Sequence, residues 1–362
     1  MRTRTNPPLW LRVLPAVALL TLSSASSAWD GTLTRHTFEN GNHTRDYLVY
    51  VPPDLEPDPA MILYLHGCSQ DADDVAVGTR FNDEADARGF VMVYPEQNTT
   101  PNQSQGNGLG CWNWFRPDHQ NRGQGEPSTI AGITQLVAST HGVDPRRIYI
   151  HGGSAGADMA VVMAANYPDL YAALGALAGC PFQSCTDETG ELAYLAMGEH
   201  ARPLPVFVVQ GTADTTNPYA AGTALVQQWL GTNDFADDGL LNNSVSRLPE
   251  STDGYSSAEG NGFAYDVEHY ADSDAESEDC SILDYWIIQG MGHTYPSGDP
   301  DGSFTTPNGP DVTAAAADFF LAHPMPDPGE PVCAALPEPG LAALLASGLA
   351  LLAALARRRL RG

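Results

Sequence analysis

Arg147-Ile148-Tyr149-Ile150-His151-Gly152-Gly153-Ser154-Ala155-Gly156 passes from a short β-branched and aromatic run into a serine flanked by glycines. Residues 147–150 read as a strand, and residues 155–166 read as a helix that stops before Pro168. Strand, tight turn and helix in that order, with Gly-x-Ser-x-Gly at the turn, predict a nucleophile elbow. There the serine sits on a strained turn, and side chains in place of the glycines would strike the neighbouring strand and helix.

Working outward, apolar runs at residues 46–51, 61–65 and 90–94 suit buried strands. Residues 128–140 place Ile130, Ile133 and Val137 on one helical face and close at Gly142. Residues 205–209 and 284–288 supply further strands, and residues 311–322 a last helix. The alternation predicts one α/β domain over residues 29–325 with a mostly parallel central sheet flanked by helices. Within it, residues 232–280 form an acidic excursion in which only residues 263–270 look like a strand, and no spacing there matches an EF-hand loop. Residues 326–340 are a Pro-rich linker.

A serine needs an imidazole to take its proton, and the imidazole needs a carboxylate to fix its tautomer and stabilise its cation. Downstream of Ser154 stand His200, His269, His293 and His323. His293 follows a strand within Gln289-Gly290-Met291-Gly292-His293, whose glycines suit a loop over the active face. His200 and His323 read as exposed loop residues, and His269 as part of a solvent-facing strand. For the acid, the strand at 205–209 runs into Gly211-Thr212-Ala213-Asp214, placing Asp214 at the C-terminal edge of the sheet, where ligand sites gather. Asp284 starts a strand and Asp266 lies inside one, which makes both poorer candidates. The oxyanion donors are expected at the N–H of Ala155 and, from the loop Leu65-His66-Gly67-Cys68-Ser69-Gln70, the N–H of Cys68.

Composition narrows the chemistry. All 17 cationic residues are arginine, which excludes Schiff-base and pyridoxal-phosphate chemistry, Ser-Lys hydrolases and a Walker A loop. Residues 29–335 hold 43 acids against 10 arginines, a balance of −33 that repels a phosphate backbone, so nucleic acid is not an expected partner. The histidines are scattered and no CxxC or HExxH spacing occurs, so no metal is expected, and serine chemistry needs no organic cofactor.

The two ends read as addresses. Residues 1–28 have an Arg-bearing start, an apolar stretch and Ser26-Ser27-Ala28, a signal peptide cleaved after Ala28. Residues 341–362 form an apolar helix, uncharged from Leu341 to Ala356, followed by Arg357-Arg358-Arg359. Its 16 residues fall short of the ~20 that span a bilayer. The order Pro337-Glu338-Pro339, helix, arginines resembles the PEP-type sorting signals processed by exosortases. That resemblance implies a sorting protease and the membrane as partners, a transient or permanent transmembrane anchor, and a final place at the surface of, or outside, a Gram-negative cell. Export makes disulfides the default for Cys68, Cys111, Cys180, Cys185, Cys280 and Cys333, with Cys180 and Cys185 close enough to pair locally.

Taken together, Leu65-His66-Gly67-Cys68-Ser69-Gln70, Cys111-Trp112-Asn113-Trp114-Phe115, Gly125-Glu126-Pro127, Asp144-Pro145-Arg146-Arg147-Ile148-Tyr149-Ile150, the Ser154 elbow, Gly211-Thr212-Ala213-Asp214 and Gly290-Met291-Gly292-His293 resemble the polyhydroxybutyrate depolymerase-type esterases. These are a secreted branch of the α/β-hydrolases that also includes feruloyl and acetylxylan esterases, and the likeness runs from about residue 46 to 323. It implies Ser154 as nucleophile, Asp214 as acid, His293 as base and the Cys68 loop as oxyanion hole. It also suggests a Cys68–Cys111 disulfide that would bring Trp112 and Trp114 beside the mouth of the site, where their faces could hold an acyl chain or an aromatic acid; the competing reading makes both indoles core. Two departures weigh against insoluble polyester: no separate substrate-binding module follows the catalytic domain, and Tyr295 stands where the family usually has tryptophan.

The expectation is therefore a secreted serine esterase acting on short-chain hydroxyalkanoate esters or oligomers, with feruloyl or acetyl esters of plant polysaccharide as the alternative. A peptidase of this fold would need a lid or propeller domain, and none precedes residue 46. An inactive surface-binding scaffold would be expected to have lost part of the triad.

Overall fold

A computed structural model describes residues 29–41, 43–97, 108–183, 185, 187–271, 281–327, 330 and 332. The predicted signal peptide, most of the linker, the apolar tail, Cys280 and Cys333 lie outside the described residues. The strands are β1 (Thr32–Asn40), β2 (His43–Val51), β3 (Met61–Leu65), β4 (Val91–Pro95), β5 (Ile148–Gly153), β6 (Ala173–Leu177), β7 (Val206–Gly211), β8 (Ser251–Tyr255), β9 (Tyr265–Ala271) and β10 (Ser281–Ile288). They form one sheet in the order β1-β2-β4-β3-β5-β6-β7-β10-β9-β8. The six strands from β4 to β10 run parallel, and β1–β2 and β9–β8 extend the two edges antiparallel.

The helices are α1 (Ala72–Gly78), α2 (Phe81–Arg88), α3 (Gly125–His141), α4 (Ala155–Asn166), α5 (Glu191–Met197), α6 (Tyr219–Asp238) and α7 (Val312–Ala322). Every residue of β3 to β7 is buried, as expected of parallel strands covered on both faces. Alternation along each strand divides the core. Met61, Leu63 and Leu65 face the side covered by Ile130, Ile133 and Val137 of α3, while Ile62 and Tyr64 face Val75, Phe81 and Phe320.

The strand and helix expectations are met with small shifts of boundary, and the helix at 155–166 is reproduced residue for residue. The described part of the acidic excursion, residues 232–271, is more ordered than its composition implies. Its first residues are the last turns of α6, whose buried Asp234 accepts from the N–H groups of Asn243 and Val245, and its middle adds β8 and β9 to the sheet. His323 is a correction: it is buried at the end of α7, where its Nδ1 lies 2.7 Å from the Phe319 carbonyl in the last turn of the helix. His269 is half-buried rather than solvent-facing, paired with Asp284 of the neighbouring strand.

Candidate active site

Ser154 stands between β5 and α4 with φ 55° and ψ −125°, a conformation costly for a residue with a Cβ. Close packing enforces it: a Cβ on Gly152 would strike the backbone of Gly156, and one on Gly156 would strike the carbonyls of Leu65 and His66 at the end of β3. The flanking glycines thus let helix and strand approach closely enough to lift the serine above the sheet.

Asp214 and His293 lie in the loops that follow β7 and β10, which are parallel neighbours paired as far as Gly211 and Ile288. The two loops are tied by Ala213 N–H to the Met291 carbonyl at 3.0 Å and Gly290 N–H to Thr212 Oγ1 at 2.8 Å. Asp214 Oδ2 lies 2.7 Å from His293 Nδ1, and His293 Nε2 lies 2.9 Å from Ser154 Oγ. Oδ1 of Asp214 accepts from the N–H of Thr216 at 2.8 Å and of Asn217 at 3.0 Å. A carboxylate held as acceptor on both oxygens puts the imidazole proton on Nδ1 and leaves Nε2 to receive the serine proton. Thr216 and Asn217 were not singled out in the sequence, although their position two and three residues past an aspartate is that of an Asx turn.

The loop at residues 65–70, where an oxyanion donor is expected, is fixed from both sides. His66 is fully buried; its Nε2 accepts the Gln97 N–H at 2.9 Å, so its proton sits on Nδ1, 2.7 Å from the Gly67 carbonyl. Burial lowers the pKa of this imidazole and keeps it neutral. Because the peptide is trans, turning the Gly67 carbonyl toward His66 turns the Cys68 N–H the other way. Gln70 Oε1 accepts the Gly67 N–H at 2.9 Å, and its amide donates to Asp74 at 2.8 Å. The Ala155 N–H, at the first position of α4, has no acceptor within its own helix.

The Cys68–Cys111 and Cys180–Cys185 disulfides are both formed. The first ties the Cys68 loop to residues 111–116, whose inner side is organised by Glu126: its carboxylate accepts the Asn113 N–H at 2.7 Å and also bonds Gln97. The expected role of Trp112 is a correction. The indole is 1% exposed, in the core, and its Nε1 donates to the His66 carbonyl at 3.1 Å, because the buried Asn113–Glu126 anchor draws it inward. Trp114 packs half-buried against the same core and is not part of the pocket wall. Tyr295 does line the pocket, a cavity of about 320 Å³ that opens on Ser154 and His293 and passes Cys68, Tyr64, Leu177 and Val75. Among the described residues no arginine or carboxylate side chain lines it. The competing acids are engaged elsewhere, Asp284 with His269 and Asp266 with the Gln289 amide. Among the described residues no group of three or more metal-ligating side chains converges, and no helix is long and apolar enough to cross a membrane.

Comparison with known proteins bears on this geometry. Poly(3-hydroxyalkanoate) depolymerase C of Paucimonas lemoignei is 27% identical over 302 residues, 78% of this chain and 66% of the relative. Feruloyl esterase B of Neurospora crassa is 33% identical over 169 residues, 46% of this chain and 55% of the relative. Acetylxylan esterase A of Emericella nidulans is 34% identical over 153 residues, 42% and 48% of the two chains. The chain thus spans between about half and two thirds of the length of the curated relatives it matches. An acetyl xylan esterase from Aspergillus awamori superposes with a TM-score of 0.61 at 20% identity, covering 80% of this chain and 99% of that one, a likeness of fold. The family model described as Esterase PHB depolymerase matches residues 45–230, which include Ser154 and Asp214 and end before His293. With the α/β-hydrolase fold and half of its length matched, the chain belongs to the Esterase PHB depolymerase family.

Proposed function

We propose that this chain is a serine carboxylic ester hydrolase acting on short-chain hydroxyalkanoate esters or their oligomers. The observation that carries the reading is the hydrogen-bonded chain from Ser154 Oγ through His293 to the buried Asp214, opening into a pocket without charged walls. Ser154 Oγ attacks the ester carbonyl carbon while its proton passes to His293 Nε2, and Asp214 stabilises the resulting imidazolium. The carbonyl oxygen becomes an oxyanion held by the N–H groups of Cys68 and Ala155. Collapse of the intermediate breaks the bond to the alkoxy oxygen, which leaves as the alcohol with the proton from His293. Water, deprotonated by the same nitrogen, then hydrolyses the acyl-enzyme and releases the acid and free Ser154.

Support for the substrate class comes from the uncharged pocket and from the depolymerase relative matched over most of this chain. The feruloyl and acetylxylan esterase relatives, closer in identity over shorter spans, favour a second reading on plant polysaccharide esters. Turnover of soluble 3-hydroxybutyrate oligomers, methyl ferulate and acetylated xylan by residues 29–335 separates the two, with Ser154→Ala as the blank. Preference for the oligomers is expected; preference for ferulate or acetylxylan overturns the substrate assignment. Ser154→Ala should lower kcat by about 10⁴-fold or more at unchanged melting temperature, and retained activity would overturn the mechanism. The reading includes export through residues 1–28 and surface sorting through residues 341–362, checked by the mass of the protein recovered outside the cell.

A further inference from the structure

The pocket wall contains several hydroxyl groups, and nearly all are committed. Thr79 Oγ1 donates to the Val75 carbonyl at 2.7 Å and Thr305 Oγ1 to the Asp299 carbonyl at 2.7 Å. Thr313 Oγ1 gives its proton to the Thr79 carbonyl at 2.7 Å, so the Tyr295 hydroxyl, 2.8 Å away, must be the donor in that pair. Ser69 and Thr216 are exposed at the mouth, open to solvent. Tyr64 differs from all of these. It is 2% exposed, it lines the cavity, and its hydroxyl has no hydrogen-bond partner among the described residues.

Its placement is rigid. The ring packs edge-on against His151 at 5.1 Å and Tyr295 at 6.2 Å, and it leans on Phe81 at 5.8 Å. A Cβ on Gly153 would lie 2.8 Å from the phenolic oxygen, so the hydroxyl sits directly under the residue preceding Ser154. Burial, with smaller contributions from Tyr295, Tyr94 and Asp74, raises the phenol pKa well above its usual value and keeps it a neutral donor. A nearly buried polar group left without a protein partner and facing a cavity is the signature of a site completed by a ligand.

Resting on the function proposed above, we infer that Tyr64 is a specificity-determining residue whose hydroxyl donates a hydrogen bond to an oxygen on C3 of the substrate's acyl group. Such an oxygen is a few bonds from the carbonyl attacked by Ser154, within a pocket that begins at that serine. A 3-hydroxyacyl or 3-acyloxyacyl chain carries it, an acetyl group has none, and in a ferulate the acyl oxygens sit at the far end of an aromatic ring. A site built to satisfy a hydroxyl discriminates against the analogue lacking it, because the protein group is then left unpaired.

The test compares kcat/KM for p-nitrophenyl 3-hydroxybutyrate and p-nitrophenyl butyrate in the native enzyme and in Tyr64→Phe. The ratio of the two is expected to fall about tenfold in the variant. A purely structural role would lower both values together and leave the ratio unmoved, and that result overturns the inference; so does a loss confined to methyl ferulate. Native enzyme that cleaves methyl ferulate or acetylxylan in preference to both nitrophenyl esters would instead overturn the underlying substrate assignment. Should Tyr64→Phe melt early, the inhibition constants of 3-hydroxybutyrate and butyrate against the native enzyme give the same contrast. Equal constants there would overturn the inference.

Discussion

Two histidine–carboxylate pairs in this protein share one geometry and differ in everything around it. His293 Nδ1 lies 2.7 Å from Asp214 at the C-terminal edge of the parallel strands, and His269 Nδ1 lies 2.7 Å from Asp284 across β9 and β10. A serine accompanies each. Ser154 meets the free nitrogen of its histidine, whereas Ser281 donates to the carboxylate of Asp284 and the other nitrogen of His269 faces Asp253 at 3.6 Å. The first imidazole can pass a proton; the second sits between two acids and braces three strands of the sheet edge. The residue types are the same, and the third partner decides which is chemistry and which is cross-bracing.

The contrast breaks most readily at the acids. Asp214→Asn should lower kcat by roughly 10⁴-fold at little cost in stability, because the amide favours the wrong imidazole tautomer. Asp284→Asn should change kcat by less than about tenfold, an estimate that follows from its lack of contact with the reacting groups. Comparable losses in the two variants, measured on one ester, would erase the distinction.

A third carboxylate sharpens it. Asp158, one turn into α4, is as buried as Asp214, but its principal donor is the Cys180 N–H at 2.8 Å, and burial pushes its pKa up to about 8. Its raised folded value means that the native state holds a proton the unfolded state has lost, so stability falls as pH rises from the unfolded value toward 8. Asp158→Asn keeps an acceptor for Cys180 and removes that penalty. It should stabilise the protein by about 2 kcal/mol at pH 8 and by nothing near pH 3. Unfolding curves at the two pH values would show no divergence if Asp158 were solvated.

The smallest effect belongs to His269. Its pKa is raised, chiefly by the hydrogen bond it donates to Asp284, against a desolvation that opposes it, with Asp253 adding a weaker attraction. The stabilisation is therefore present in full below the unfolded value near 6.5 and lost as pH rises through the higher folded one. Solvent reaches the pair, so His269→Gln should cost under about 1 kcal/mol at pH 6 and still less at pH 9. A cost independent of pH would indicate packing in place of charge.

Much of this organisation was legible along the chain. The elbow could be read because a glycine-flanked serine follows a β-branched run and precedes a clean helix. Asp214 and His293 could be read because each follows a strand in a glycine-containing loop. The losses have physical causes. β1 alternates weakly on an exposed edge, and Ala173–Leu177 is alanine-rich, so a buried strand there has helical composition. Trp112 could be read either beside the mouth of the site or in the core, because the Glu126 contact that draws its segment inward is made by the fold and not by local pattern.

The sequence by itself determined the alternation of strands and helices that makes an α/β sheet, the turn that carries Ser154 and the two loops that carry Asp214 and His293, since each depends on local pattern and on loops that leave one edge of the sheet. Only the tertiary structure decided which histidine–carboxylate pair meets Ser154, which indole is core, and that Tyr64 reaches the pocket with its hydroxyl unpaired among the described residues. Those outcomes depend on what neighbouring strands and loops place opposite a side chain. Strand alternation fixes the face on which a residue lies, while its partner on that face comes from distant parts of the chain.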